Sequence, residues 1–67
     1  MKRRVDSLAD AVIRDARPVR LPDGTEGRLV GDWPEANGVR LVLIVDGRRT
    51  VTPVLPTDTL IEIGAKP

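Results

Sequence analysis

Two spacings of apolar residues divide the chain. Val5, Leu8, Ala9, Val12, Ile13 and Ala16 recur at three- and four-residue intervals, which puts them on one stripe of a helix. The spacing predicts a helix over residues 5–17. Ser7 and Asp10 fit a capping box, Asp6 offers an alternative cap, and Pro18 supplies the stop, because a residue before proline is pushed out of the α region. So short a helix is marginal on its own, so its stripe must dock on the rest of the chain. Residues 1–4, Met-Lys-Arg-Arg, share neither spacing and are expected as a flexible basic tail.

From residue 18 the period falls to two. Val19 to Leu21 alternates apolar and charged, and Pro22-Asp23-Gly24 is a turn signal. A second strand is expected from Glu26 to Trp33, with Leu29, Gly31 and Trp33 on one phase and Arg28, Val30 and Asp32 on the other. Pro34 to Gly38 reads as a loop closed by an Asn-Gly pair. A third strand runs from Val39 to Asp46, and Asp46-Gly47 turns it into a fourth over Arg49–Leu55. Pro56 to Thr59 suits one 3₁₀ turn, Leu60 to Ile63 is a last strand, and residues 64–67 are expected to be flexible. Five short strands in hairpin order, the last pair joined by one tight turn, form the pattern of a five-stranded SH3-like barrel. The expected fold is therefore mainly β: that barrel over residues 18–63, preceded by one short N-terminal amphipathic α-helix.

The third strand is apolar on both phases. Val39, Leu41, Leu43 and Val45 supply one face, while Val42 and Ile44 occupy the other, where a half-exposed strand should be polar. This second face needs a cover, either the N-terminal helix stripe or another copy of the chain. Trp33 has two readings, a plug for the barrel mouth or an anchor for a partner. Trp33, Val42 and Ile44 are the candidate partner-binding residues.

Composition narrows the chemistry. A chain of 67 residues buries a marginal core and commonly needs a staple. With no Cys and no His, disulfides are excluded and a structural zinc site is disfavoured, which leaves self-association as the expected support. Eleven basic against ten acidic residues give a net charge of +1, so no global field draws the chain to nucleic acid or membrane. Acidic residues interrupt any leader-like segment after the basic start and no apolar run spans a bilayer, so a cytoplasmic protein is expected.

Basic residues nonetheless recur on the strands. Arg20, Arg28 and Arg40 fall on the outward phase of three successive strands, and Arg48 and Arg49 follow at the next hairpin. Such a stripe would grip phosphates, making nucleic acid the alternative partner. Asp32 and Asp46 share that phase and compete for the arginines. Single-strand binding also wants aromatic platforms, and Trp33 is the one aromatic residue. Catalysis has little to work with. His, Cys and Tyr are absent, Asp23 and Asp46 belong to turns, and no phosphate-cradling glycine loop is present. No catalytic, cofactor-binding or metal-ligating residue is assigned, and the expected function is that of a non-enzymatic, self-associating binding module, with a protein partner possible.

One stretch resembles a known family. Val19-Arg20 to the Asp23-Gly24 turn, Gly27-Arg28-Leu29-Val30-Gly31-Asp32-Trp33, and Val51 through Ile63 are similar to the plasmid-borne type II dihydrofolate reductases. The resemblance implies an SH3-like barrel, a tetramer around one shared pore, and a bacterial mobile-element background. It implies a Val-Gln-Ile-Tyr pore segment at Val51-Thr52-Pro53-Val54 as well. Thr52 stands where the Gln should be and Val54 where the Tyr should be, so the polar contacts to cofactor and folate are missing. Pro53 also removes a backbone donor there. Reductase activity is not expected to follow the fold.

Overall fold

The computed structural model describes residues 1–66. Six antiparallel strands form one sheet: β1 (Lys2–Arg4), β2 (Pro18–Arg20), β3 (Glu26–Glu35), β4 (Gly38–Val45), β5 (Arg48–Val51) and β6 (Leu60–Ile63). Their order across the sheet is β1-β6-β2-β3-β4-β5. The expected five-stranded closed barrel is thus corrected on two counts. The sheet is open, with β1 and β5 at its edges, and it has a sixth strand.

That sixth strand comes from the tail. Lys2, Arg3 and Arg4 pair with Glu62, Ile61 and Leu60, so three exposed basic residues are ordered through their backbone, and the Arg4 side chain adds a two-point ion pair to Asp6. The helix expected over residues 5–17 is correspondingly shorter. Val5 donates its backbone N–H to Thr59 O at 2.9 Å and sinks into the core, which ends β1 in a 3₁₀ turn over Val5–Ser7. Leu8 and Ala9 are extended, and α1 covers only Asp10–Arg14, with no side-chain cap at its start. Its C-terminus is closed by Ala16 N–H to Ile13 O and Arg17 N–H to Val12 O at 3.0 and 3.1 Å. This Schellman pattern places Ala16 at φ 48°, a position normally given to glycine.

Pro18 then opens β2, a strand with neighbours on both sides, where a missing N–H leaves an acceptor without its ladder bond. The acceptor is Gly64 O, and the Arg17 Nε–H supplies the bond at 2.9 Å. The β4–β5 turn matches its sequence signal. Asp46 and Gly47 both take positive φ, 51° and 77°, as a two-residue hairpin with matching twist requires. The β3–β4 turn is tighter than expected. β3 continues through Pro34 to Glu35, leaving Ala36 and Asn37 as the turn. Pro34 is tolerated because it sits where β3 extends beyond β2.

β5 ends at Val51, short of the expected Leu55, yet the chain stays against β4. The Leu41 N–H donates to Thr52 Oγ1 at 3.0 Å, and the Thr52 N–H returns to Leu41 O at 2.9 Å. A lone bridge between Val39 and Leu55 follows. Gly38 permits it, since a Cβ there would overlap the Leu55 carbonyl. Pro56 to Thr59 forms a β-turn in place of the expected 3₁₀ turn, closed by the Thr59 N–H on Pro56 O at 3.0 Å. Of residues 64–67, expected to be flexible, Gly64 is bonded to Pro18 and Arg17, and Pro67 lies outside the described residues.

The core occupies one face of the sheet. Val19, Leu29, Leu41, Leu43, Ile61 and Ile63 from the strands meet Val5 and Val12, with Leu8 and Ile13 packed against them. The helix stripe therefore seals this inner face. It is not the cover expected for Val42 and Ile44, which lie on the opposite phase.

Candidate interaction site on the outer sheet face

A β-bulge decides what the outer face contains. The β3–β4 register shifts between Leu29 and Gly31, so Val30 is the extra residue and every side chain beyond it changes face. Gly31 stands opposite Val42, and Trp33 stands opposite Arg40. Asp32 moves to the phase of Leu41. Two expectations are thereby corrected. Asp32 no longer shares a face with Arg28, and Trp33 does not plug the mouth of a barrel but lies on the outer face, 40% exposed.

Beside Trp33 the face is apolar. Val42 lies between Gly31 and Val51, and Ile44 lies between Arg28 and Arg49. Val42 is buried and Ile44 half-buried, while Val51 is 45% exposed. Trp33, Val42 and Ile44 thus fall on one face of the sheet, and Val51 joins them. Counting pairs outward from the Asp46-Gly47 turn sets Val51 against Val42, so the signal was present in the hairpin register.

Glu35 organises one end of this surface. Its Oε1 accepts from Trp33 Nε1 at 2.9 Å and from Arg40 Nε at 3.1 Å, and Arg40 Nη1 also donates to Thr52 O at 3.2 Å. The indole N–H first, and the guanidinium next, hold the Glu35 carboxyl below the usual carboxylate range. The Nε1–H bond to Glu35 fixes the Trp33 indole while the residue stays partly exposed.

The five candidate phosphate-binding arginines do not form one free stripe. Arg20 is engaged by Glu26 at 2.9 Å, and Arg40 by Glu35. Arg28 and Arg49 flank Ile44 in one cross-strand row, with Arg28 Nε 3.4 Å from Ala16 O. Arg48 pairs with Val45, on the other phase. At the opposite edge, the Met1 amino group bonds Glu62 Oε1 at 2.9 Å and holds its carboxyl low. Asp23 is likewise lowered, chiefly by the Thr25 backbone N–H.

Thr52, at the position matched to the reductase glutamine, is 4% exposed and committed to the backbone. Its hydroxyl donates to Pro53 O at 2.8 Å and accepts from Leu41. Among the described residues no three potential metal ligands cluster, and no helix is long and apolar enough to cross a membrane. The chain matches no family model, no curated protein and no solved structure. The likeness to type II dihydrofolate reductases therefore has no family or homologue support, and a small all-β sheet is what stands of it.

Proposed function

We propose that this chain is a non-enzymatic binding module that works as a self-associated unit, joined through the outer face of β3, β4 and β5. The observation that carries the reading is an apolar face on the side of the sheet away from the core, where Trp33 and Val51 are exposed, Ile44 is half-buried and Val42 lies buried between them. An exposed indole among aliphatic groups is the composition of an interface centre. The order β6-β2-β3-β4-β5 supports an SH3-like arrangement beneath it, opened at one seam and extended by β1.

A second copy is the occupant best matched to this face. Both sheet edges, Lys2–Arg4 and Arg48–Arg49, carry cations, which discourages edge-to-edge growth and leaves the face. The cations Arg28 and Arg49 flank the face at one end only, while the other end is neutralised by the Glu35–Arg40 ion pair. A two-fold axis running across the strands keeps the arginine ends of the two copies apart and lays each over the neutral end of its partner. A domain of this size also gains most from such support. The non-enzymatic part of the reading is supported by the carboxylates of Asp23, Glu35 and Glu62, each already engaged by donors of its own chain.

Light scattering tests it. The chain is expected at twice the monomer mass, with Trp33 emission shifting on dilution, and Val51→Lys is expected to give a folded monomer. A monomeric wild-type chain at about 1 mM, the weak limit of specific association, refutes the proposal.

A further inference from the structure

The free edge of β5 has the elements of a second, separate site. β5 pairs only with β4, and all four of its residues are exposed. The two-residue Asp46-Gly47 turn makes Val45 and Arg48 a hydrogen-bonded pair, and bonded and unbonded pairs alternate from there. The Thr52 N–H on Leu41 O keeps that alternation. Arg49 and Val51 are consequently the residues whose backbone N–H and C=O point away from β4. Pro53 follows them and has no N–H, so the open edge is two residues long.

A cleft of about 270 Å³ adjoins this edge. One wall is Thr50 to Pro53, the facing wall is the β2–β3 turn with Leu21, Pro22 and Asp23, and Leu43 and Leu55 contribute to the lining. The Asp23 carboxylate is already engaged by the Thr25 N–H at 2.9 Å. The flanking cations Arg48 and Arg49 have no acidic partner within ion-pair distance among the described residues. The β1 edge is also basic, but the larger cleft beside it, about 620 Å³, mixes Leu21, Pro22 and Leu60 with the charged Lys2, Arg20 and Glu62.

We propose that the β5 edge binds an extended acidic peptide by strand addition, with one apolar side chain seated in the Leu21–Leu55 cleft. The register fixes the pattern. A residue opposite Thr50 projects to the inner phase and into the cleft, while its neighbours project to the outer phase, one beside Arg49 and the other beside Val51. The ligand is therefore an extended segment with an acidic residue next to the apolar one, as an alternating acidic–apolar sequence supplies. Backbone bonds to Arg49 and Val51 supply the attachment, and the cleft and Arg49 supply the selectivity. A second β5 is a poor occupant, because it would bring four arginines together.

The test is fluorescence anisotropy at low salt with a labelled Glu-Val-Glu-Val-Glu peptide. Saturable binding is expected, lost as salt rises, with no binding of Lys-Val-Lys-Val-Lys. Two N-methylated forms of the acidic peptide, blocking alternate amides, discriminate the mode: one loses binding and the other keeps it. Arg49→Glu, on the exposed strand, is expected to weaken binding at least about tenfold. Absence of binding at about 1 mM peptide overturns the proposal. So does equal binding of both N-methylated forms, or tighter binding of a single-stranded oligonucleotide of equal charge. Light scattering on the same samples reports self-association separately, so the two proposals fail independently.

Discussion

Glu35 receives both of its donors on a single oxygen, Oε1, and both bonds require the carboxylate to be ionised to reach full strength. Its folded pKa lies below the ordinary value, so its contribution to stability is fully present above about 4.3 and fades as pH falls through the folded value. Asp23 and Glu62 are displaced in the same direction and add to the same acid-side loss. Trp33 is the only tryptophan, so its emission reports this one cluster. On acidification the emission is expected to change with a midpoint below about 4.3, while the sheet remains folded by circular dichroism. Glu35→Gln is expected to abolish that step. A midpoint at or above the ordinary glutamate value would reject the assignment of Glu35 as the group that holds the indole.

At the scale of elements, the β5 return is held by one hydroxyl. Thr52 both receives the Leu41 N–H and donates to Pro53 O, taking the place of ladder bonds that Pro53 and the strand's departure remove. Thr52→Val keeps the shape but leaves the Leu41 amide buried without an acceptor, a loss of about 1–3 kcal/mol in chemical denaturation. Thr52→Ser should recover most of it, and a neutral Thr52→Val would show the hydroxyl to be dispensable. The pairing of β2 with β3 and of β4 with β5 was legible in the sequence because the turns at Asp23-Gly24 and Asp46-Gly47 carry their own local chemistry. The bulge at Val30 was not. Strict alternation from Leu29 to Trp33 also satisfied a period of two, and only the partner strand exposes the extra residue. The same holds for the helix. Burying Val5 and Val12 on one side satisfies a helical stripe, yet a strand, a 3₁₀ turn and a short helix bury them equally well. Of the candidate site, Val42 and Ile44 were legible from an apolar second phase, whereas Trp33 joins their face, and Glu35 acquires its role, only through the face change that the bulge causes.

For the whole molecule, the closing of the chain on itself rests on β1. Ile63 N–H donates to Met1 O and Val5 N–H to Thr59 O, so the alternation between them makes Arg3 and Ile61 the bonded pair at the centre of β1 and β6. β6 in turn holds Ile61 and Ile63 in the core, between β1 and β2. The Arg3 side chain is exposed and carries none of this, so Arg3→Ala should stay within about 0.5 kcal/mol of wild type. Arg3→Pro removes the central donor and releases β1 as a unit, at a cost of about 2 kcal/mol. Against a total of roughly 3–10 kcal/mol for a chain of this length, that loss is large. It should lower Tm by about 10 °C, and hydrogen exchange should quicken first at the β6 amides that β1 covers. A tail without a strand would give the same Tm for both variants, because neither substitution would then touch a bond. The difference between proline and alanine at one exposed position thus separates a backbone role from a side-chain role, and measures how far this small open sheet depends on its sixth strand.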